Sequence, residues 1–427
     1  MRQFEWAIVG SGIAGIITSE ILTREGHSAI LIEKNETLAS ETTREFHEWM
    51  HAGSLYTLIP DNLKTLKFIL GAVDDLLDFY SSYERMNLIP TMKGLDIGGN
   101  DDSWFIRDNY MHFKFRISGR KITFPWLIGV ARSMLLIERI REHDWLRRRA
   151  GVLDPFKYSF RELSSTVVQL MRSKEKFAKV KTPDFTMNSR AMIKDMIATS
   201  IEKGLEISKA NKFNGYEKSG TGYLLKCEKE SFIAKNIALC NGENAADFTK
   251  ARVKKSYAPL AVVGNVNQNT ESFVELDYYP KNCINILKKE HGIGLVGGIS
   301  FNNKGDCDEY IEKVIKKHQE YNPEIKKLHK YIGTKSEIII DGEPRNYLYH
   351  IIEIEQGVWI VIPGKFTLGF SIGPEFYRRV FGKNPGKYFP TTTDTGKYDN
   401  LVSNTVWQDV LRDGINNNNP EDPYGND

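Results

Sequence analysis

A short apolar run, Trp6 to Val9, leads straight into Gly10-Ser11-Gly12-Ile13-Ala14-Gly15 and then into the helical stretch IITSEILTREG. Strand, glycine turn and helix in that order leave few folds open. Gly10 permits the tight turn, Gly12 lets backbone approach a pyrophosphate, and Gly15 lets helix and strand pack closely. The helix amino terminus offers N–H groups to anionic oxygen. The pattern continues through Ser19, Leu22 and Gly26 into a second strand, SAILIE, which ends at Glu33 with Lys34 beside it. A carboxylate there is placed to accept the hydrogen bonds of an adenosine ribose. The reading is a dinucleotide site opening a parallel α/β sheet. The competing reading is a glycine-rich strand-to-helix turn with no ligand, and the acid that ends the second strand weighs against it.

With 427 residues, the chain exceeds one ordinary core, so two or more structural units are expected. Two further strand ends carry glycine: FIAKNIALCNG, ending at Asn241 and Gly242, and GVWIVIPGKFTLGFSIGPEF, which turns at Gly364 and Gly369 before a helix. An extended cofactor held by distant segments, FAD rather than NAD, fits that spacing. Backbone N–H groups at Gly364, Lys365, Phe366, Leu368 and Gly369 would then approach the part of the flavin that becomes anionic on reduction.

Between Glu33 and residue 62 stand Ser40, Thr42, Thr43 and Arg44, then His51-Ala52-Gly53 and Leu55-Tyr56. This arrangement resembles the D-amino-acid oxidase superfamily of FAD enzymes, and within it L-2-hydroxyglutarate oxidases and FAD-dependent glycerol-3-phosphate dehydrogenases. The likeness runs on through DFTMNSRAMIKDMIATSIEKGLEISKANKF, with Phe213 at the adenine side, through the strands KKSYAPLAVV and GIGLVGG, and through Gly333-Thr334-Lys335. Residues 60–182 match least. The resemblance implies a discontinuous Rossmann-type FAD-binding domain, α/β, over residues 1–58, 183–253 and 354–390. It implies an interleaved α+β substrate domain over 59–182 and 254–353. Residues 391–427 form a C-terminal segment with one short amphipathic stretch, 401–411, and a polar tail read as disordered.

The same resemblance places Thr43, Arg44, His51, Ala52 and Gly53 against the cofactor and makes His51 the first catalytic candidate. A neutral imidazole could take the proton of a substrate hydroxyl or ammonium as hydride leaves the neighbouring carbon. The competing reading is a histidine that only braces its own loop, and covalent attachment of FAD through His51 is a third. Lys335 and Arg345 lie in a segment that grips a substrate carboxylate in relatives, although Lys335 stands where the family usually has arginine and gives one point charge instead of a planar fork. Each also reads as a solvated hairpin charge. His350 is a second acid/base candidate.

The net charge of +3 conceals a basic stretch: residues 125–181 hold thirteen Lys/Arg against six Asp/Glu. Arg132, Arg139, Arg141, Arg147, Arg148 and Arg149 accompany Trp126, Leu127, Val130, Met134, Ile137 and Trp145, which reads as a solvated helix face, as a groove for an acidic substrate, or as a basic amphipathic helix on an anionic membrane. Residues 59–182 read as largely helical, with apolar spacing at Leu63, Leu66, Ile69, Leu70, Val73, Leu76 and Leu77. Four scattered cysteines indicate neither disulfides nor a metal centre and point to a reducing cytoplasm, with any membrane contact peripheral, at the inner face. No nucleic-acid motif is present. The expected activity is an FAD-dependent oxidation of a C–H next to a hydroxyl or amine on a small anionic substrate, with oxygen, quinone or a protein as electron acceptor. Alternatives are a glycerol-3-phosphate-type dehydrogenase passing electrons to quinone at a membrane, and a flavin-binding protein without turnover.

Overall fold

A computed structural model describes the chain except for residues 60, 99–102, 150–156, 249–251, 268, 278–282, 340–347 and 418–427. It is a mixed α/β protein built on two large sheets. In the first, the strands Glu206–Ser208, Ala29–Ile32, Gln3–Val9, Phe232–Leu239 and Val358–Ile362 lie side by side in that order and parallel. His350–Glu355 closes one edge antiparallel, and the hairpin Phe213–Ser219/Gly222–Cys227 branches from Phe232–Leu239.

The unbroken apolar run at the start of the chain follows from this position, because a strand covered on both faces needs both sets of alternating side chains apolar. Trp6 and Ile8 face one core, with Ile13, Ile16 and Ile17 of the helix Ile13–Arg24, Met192 and Met196 of Ser189–Glu202, and Phe376 of Gly369–Phe381. Phe4, Ala7 and Val9 face another, with Tyr223, Leu225 and Phe232. Trp6 meets Phe376 edge to face at 5.3 Å. Complete burial of such a side chain contributes on the order of 3 kcal/mol.

The second sheet has the order Lys326–Ile339, Arg252–Gly264, Gly294–Gly298, Cys283–Lys288, Phe273–Leu276, Phe105–Arg116, Phe177–Met187, Trp49–Met50. The two strands expected from KKSYAPLAVV and GIGLVGG are neighbours here, Ala261 opposite Val296. Trp49–Met50 pairs with Phe185 and Thr186, so the His51 loop leaves directly from the edge of this sheet.

Residues 59–182 contain the expected helices and also strands that the helical reading lacked. Lys64–Phe79, Phe124–Arg141 and Phe160–Arg172 are helices, but Phe105–Arg116 and Phe177–Met187 are long antiparallel strands. Their signal is a period of two: Met111, Phe113 and Phe115 are buried and alternate with His112, Lys114 and Arg116, while Ala178 and Val180 alternate with Lys179 and Lys181. Part of the basic stretch is therefore the outward face of a strand. The apolar residues read as a membrane-facing stripe also point the other way, since Trp126, Leu127, Val130 and Ile137 are buried in one core, Met134 packs against it, and Trp145 is buried in another. Arg148 and Arg149 have side chains outside the described set. The amphipathic stretch expected over 401–411 is a helix over Val406–Asn417, displaced because Thr405 N–H donates to Gln408 Oε1 and starts the helix there. Among the described residues no helix is long and apolar enough to cross a membrane.

Candidate active site

The glycine turn is built for close approach. Gly10 has φ +94°, and a Cβ on it would lie 2.9 Å from Asn241 Cα; one on Gly15 would lie 1.8 Å from the Gly10 carbonyl oxygen. Gly12 differs, since its Cβ would meet only Thr43 Oγ1, at 3.5 Å. Thr43 is tied to the same turn, accepting a hydrogen bond from the Ile13 N–H at 3.0 Å. Glu33 is buried at the end of the second strand, where its carboxylate accepts from Ser11 N–H (2.9 Å), Ser11 Oγ (2.6 Å) and Asn35 N–H (2.9 Å). Each carboxylate oxygen has two lone pairs, so this still leaves acceptor capacity. Asn211 N–H donates to the Glu33 carbonyl, which brings the start of the Phe213 strand beside it. Asn241 Oδ1, at the mouth of the turn, is buried without a hydrogen-bond partner among the described residues. A buried polar atom of this kind calls for a ligand or water.

Gly369 packs its bare Cα against the start of the first helix, where a Cβ would lie 3.1 Å from Ile13 Cγ1 and Ile17 Cδ1. Two helix amino termini, at Ile13 and Gly369, therefore meet. The loop before Gly369 turns at Gly364 (φ +64°) and is closed by Leu368 N–H to Lys365 O and Gly369 N–H to Phe366 O. Phe366 packs on Phe370.

Four of the segments singled out in the sequence are joined in pairs. The His51 N–H donates to the hydroxyl of buried Thr367 at 2.9 Å, joining the 51–53 loop to the 364–369 loop. The Thr42 hydroxyl donates to the Thr334 carbonyl at 2.7 Å, and the Thr334 N–H donates to Glu45 Oε2 at 3.1 Å, joining the 40–45 loop to Lys335. Lys365 Nζ lies 5.7 Å from the ring centre of Tyr56, which itself packs edge to face with His51 at 5.7 Å. Trp49 lies against the His51 ring at 4.0 Å.

The electrostatics follow from this crowding. Burial, then Lys365, His47 and Lys335, hold the His51 imidazole well below the ordinary histidine value. It is neutral at physiological pH, and its Nδ1 has no hydrogen-bond partner among the described residues. His47 is held down to about 3 by burial and Lys289, with Gly297 leaving room for its ring.

Sequence reasoning missed Asp184. This fully buried carboxyl accepts the Ala52 N–H at 2.5 Å and anchors the loop carrying His51. Burial raises it to about 7, against the opposing pull of Ala52, Ser54 and Trp49. An acid beside the apolar residues at the end of the strand Phe177–Met187, DFTM, was the available signal. Thr367 was missed as well, since nothing local marks a threonine between two predicted loop contacts.

Other candidates sit elsewhere. Arg44 pairs with Asp409 of the C-terminal helix, and Lys34 with Glu41 at 2.6 Å. His350 opens the edge strand opposite Ile362, two residues before Gly364. Gly53 (φ +112°) leaves space filled by Leu66. Arg345 lies outside the described residues.

No family model matches the sequence, and no curated protein matches it. Solved structures do match the fold. Glycine oxidase from Geobacillus kaustophilus superimposes with a TM-score of 0.63 at 13% identity, covering 91% of this chain and 97% of its own. The dithionite-reduced L-alpha-glycerophosphate oxidase from Mycoplasma pneumoniae with FAD bound gives 0.62 at 15%, covering 95% and 100%. L-proline dehydrogenase from P. horikoshii gives 0.60 at 12%, covering 94% and 97%. The resemblance read from the sequence is thus borne out as a shared fold along nearly the whole chain.

Proposed function

We propose that the protein is an FAD-dependent oxidoreductase that oxidises a C–H bond next to a hydroxyl or amine on a small anionic substrate. The observation that supports this most is the convergence of His51, Lys335 and Lys365, where the 51–53 and 364–369 loops meet and the strand Lys326–Ile339 brings Lys335 close enough to act on the imidazole. The residues present fit FAD. Gly12 leaves backbone open to a pyrophosphate, Glu33 retains acceptor capacity for a ribose, and Asn241 Oδ1 awaits a donor. In this reading Gly10 to Gly15, Glu33, Thr43, Asn241 and Gly242 hold the cofactor, with the 364–369 loop at its reactive end. FAD when bound supplies the hydride acceptor.

His51 is suited to take the proton of the reacting hydroxyl or ammonium because it is already neutral. A proton gained there would be disfavoured by Lys365 and Lys335, so it would pass readily onward. The same two ammonium groups favour a substrate carboxylate or phosphate. Trp49 and Tyr56 form apolar walls that orient the imidazole, and Asp184 and Thr367 fix its backbone. Glycine oxidase, glycerophosphate oxidase and proline dehydrogenase as fold relatives fit both a hydroxyl and an amine substrate.

The test is anaerobic mixing of the FAD-loaded protein with 2-hydroxy acids, amino acids and glycerol phosphate, followed by visible absorbance. Bleaching by one class is expected, and reoxidation by oxygen or a soluble quinone then identifies the acceptor. Protein that binds no FAD would overturn the proposal, and FAD-loaded protein that no compound bleaches would leave flavin binding without turnover as the better reading.

A further inference from the structure

The helix Phe160–Arg172 is more apolar than its packing requires. It begins with a complete capping box: the Glu162 N–H donates to Ser159 Oγ, and the Ser159 N–H donates to Glu162 Oε2. Its start is therefore well defined. With 3.6 residues per turn, Val167 and Leu170 fall on one side of the helix, and Phe160, Met171 and Val168 follow within the next ~100° of its circumference. Only the first pair is covered, packing with Trp126, Val130 and Ile137 of the neighbouring helix Phe124–Arg141. Phe160 is 84% exposed, Met171 60% and Val168 44%.

Basic residues border this bare strip. Arg161 and Arg172 come next around the helix and are exposed, and exposed Lys157 before it and Lys174 and Lys176 after it outnumber the one exposed acid there, Glu175. Glu162, the acid within the helix, is already engaged by Arg139. That pair joins the first turn of one helix to the last turn of the other, so the two run antiparallel and Phe124, 59% exposed, stands at the Met171 end.

A protruding phenylalanine and methionine edged by Lys/Arg on a helix lying along the surface is the composition that an anionic interface selects. A stable protein–protein contact takes roughly 800 Å² and about 20–30 residues per partner, far more than the few bare apolar side chains of this strip. A bilayer needs no matching surface, only a few inserted side chains and facing charge. We infer that helix Phe160–Arg172 docks on an anionic lipid bilayer, seating Phe160 and Met171 among the acyl chains and Arg161 and Arg172 at the headgroups. This places the membrane contact on a different helix from the stripe around Arg139 to Arg149. It is independent of the proposed chemistry, since it involves neither the cofactor nor the His51 loop.

The experiment is flotation of the full-length protein with vesicles of phosphatidylglycerol and phosphatidylcholine, and with phosphatidylcholine alone, at low and high salt. The wild type is expected to float with the anionic vesicles only, and less at high salt. Phe160→Ser combined with Met171→Ser should lower the partition coefficient at least tenfold. Arg161→Glu combined with Arg172→Glu should abolish the preference for anionic lipid, as each basic residue near the surface is worth about a fivefold change. All four side chains are exposed, so unchanged thermal unfolding of both variants shows that they fold. Vesicle binding that survives Phe160→Ser/Met171→Ser overturns the inference. So does a wild type that ignores vesicles, and if it elutes as a dimer that the same variant splits, the strip is a contact between copies of this chain.

Discussion

The backbone N–H of His51 is bonded to the hydroxyl of Thr367, 316 residues further along the chain, at 2.9 Å. The loop bearing the proposed base is thereby held to the loop proposed to meet the reactive end of the cofactor. Thr367→Val keeps the shape but leaves a buried amide unpaired, at a cost of about 1–3 kcal/mol. We expect a lower unfolding midpoint and a reduced kcat with FAD retained, and restoration of both by Thr367→Ser. Thermal unfolding and steady-state kinetics on a substrate that bleaches the flavin check this.

Gly12→Ala and Gly15→Ala should separate folding from cofactor binding. A Cβ at Gly15 would collide with backbone, so that variant should be strongly destabilised or insoluble. A Cβ at Gly12 meets only Thr43 Oγ1 at an ordinary contact distance, and its backbone, φ −67° and ψ 179°, suits alanine. That variant should fold normally yet lose FAD affinity by tenfold or more. Circular dichroism alongside flavin titration distinguishes the two, and normal FAD binding by Gly12→Ala would contradict the assignment of this turn.

Replacing His51 by glutamine should reduce kcat by about 10²–10⁴-fold while FAD still binds, if the imidazole accepts the proton. Because burial and the two lysines depress its titration, the wild-type rate should not fall as pH drops through the ordinary histidine value near 6.5. An acid limb centred at 6.5 or above that disappears in His51→Gln would show that the ring is not held neutral.

Asp184 makes a separate prediction about pH and stability. Its folded value is raised to about 7, whereas an unfolded aspartate titrates near 3.8. The unfolded chain thus releases its proton first as pH rises. Stability from this group is fully present below about pH 4 and is lost progressively up to about pH 7, by on the order of 4 kcal/mol. Asp184→Asn can still accept the Ala52 N–H and has no proton to lose. Its stability relative to wild type should therefore rise across that window and level off above it, as urea unfolding at a series of pH values would show.

Much of this was legible locally. The glycine turn, the acid at Glu33, the helix after Gly369 and the strands Phe232–Leu239 and Val358–Ile362 carry their signals in a few adjacent residues, and each stands in the fold where the pattern places it. The strand pair Phe105–Arg116 and Phe177–Met187 was equally local in its period of two, but the basic residues at its alternate positions are also what a solvated helix face carries, so charge alone does not separate the two.

The sequence by itself determined the glycine turn between the first strand and helix, the second strand ending at Glu33 and the helix after Gly369, because turn, helix and strand preferences act over a few neighbouring residues. Only the tertiary structure decided that His51 meets Thr367, that Thr42 meets Thr334, that Asp184 holds Ala52, and that Arg44 turns to Asp409. It also decided which apolar side chains of the basic stretch are covered and which stand bare. Those outcomes depend on strand order in two sheets and on helices packed across them, where partners lie tens to hundreds of residues apart and no local pattern records the pairing.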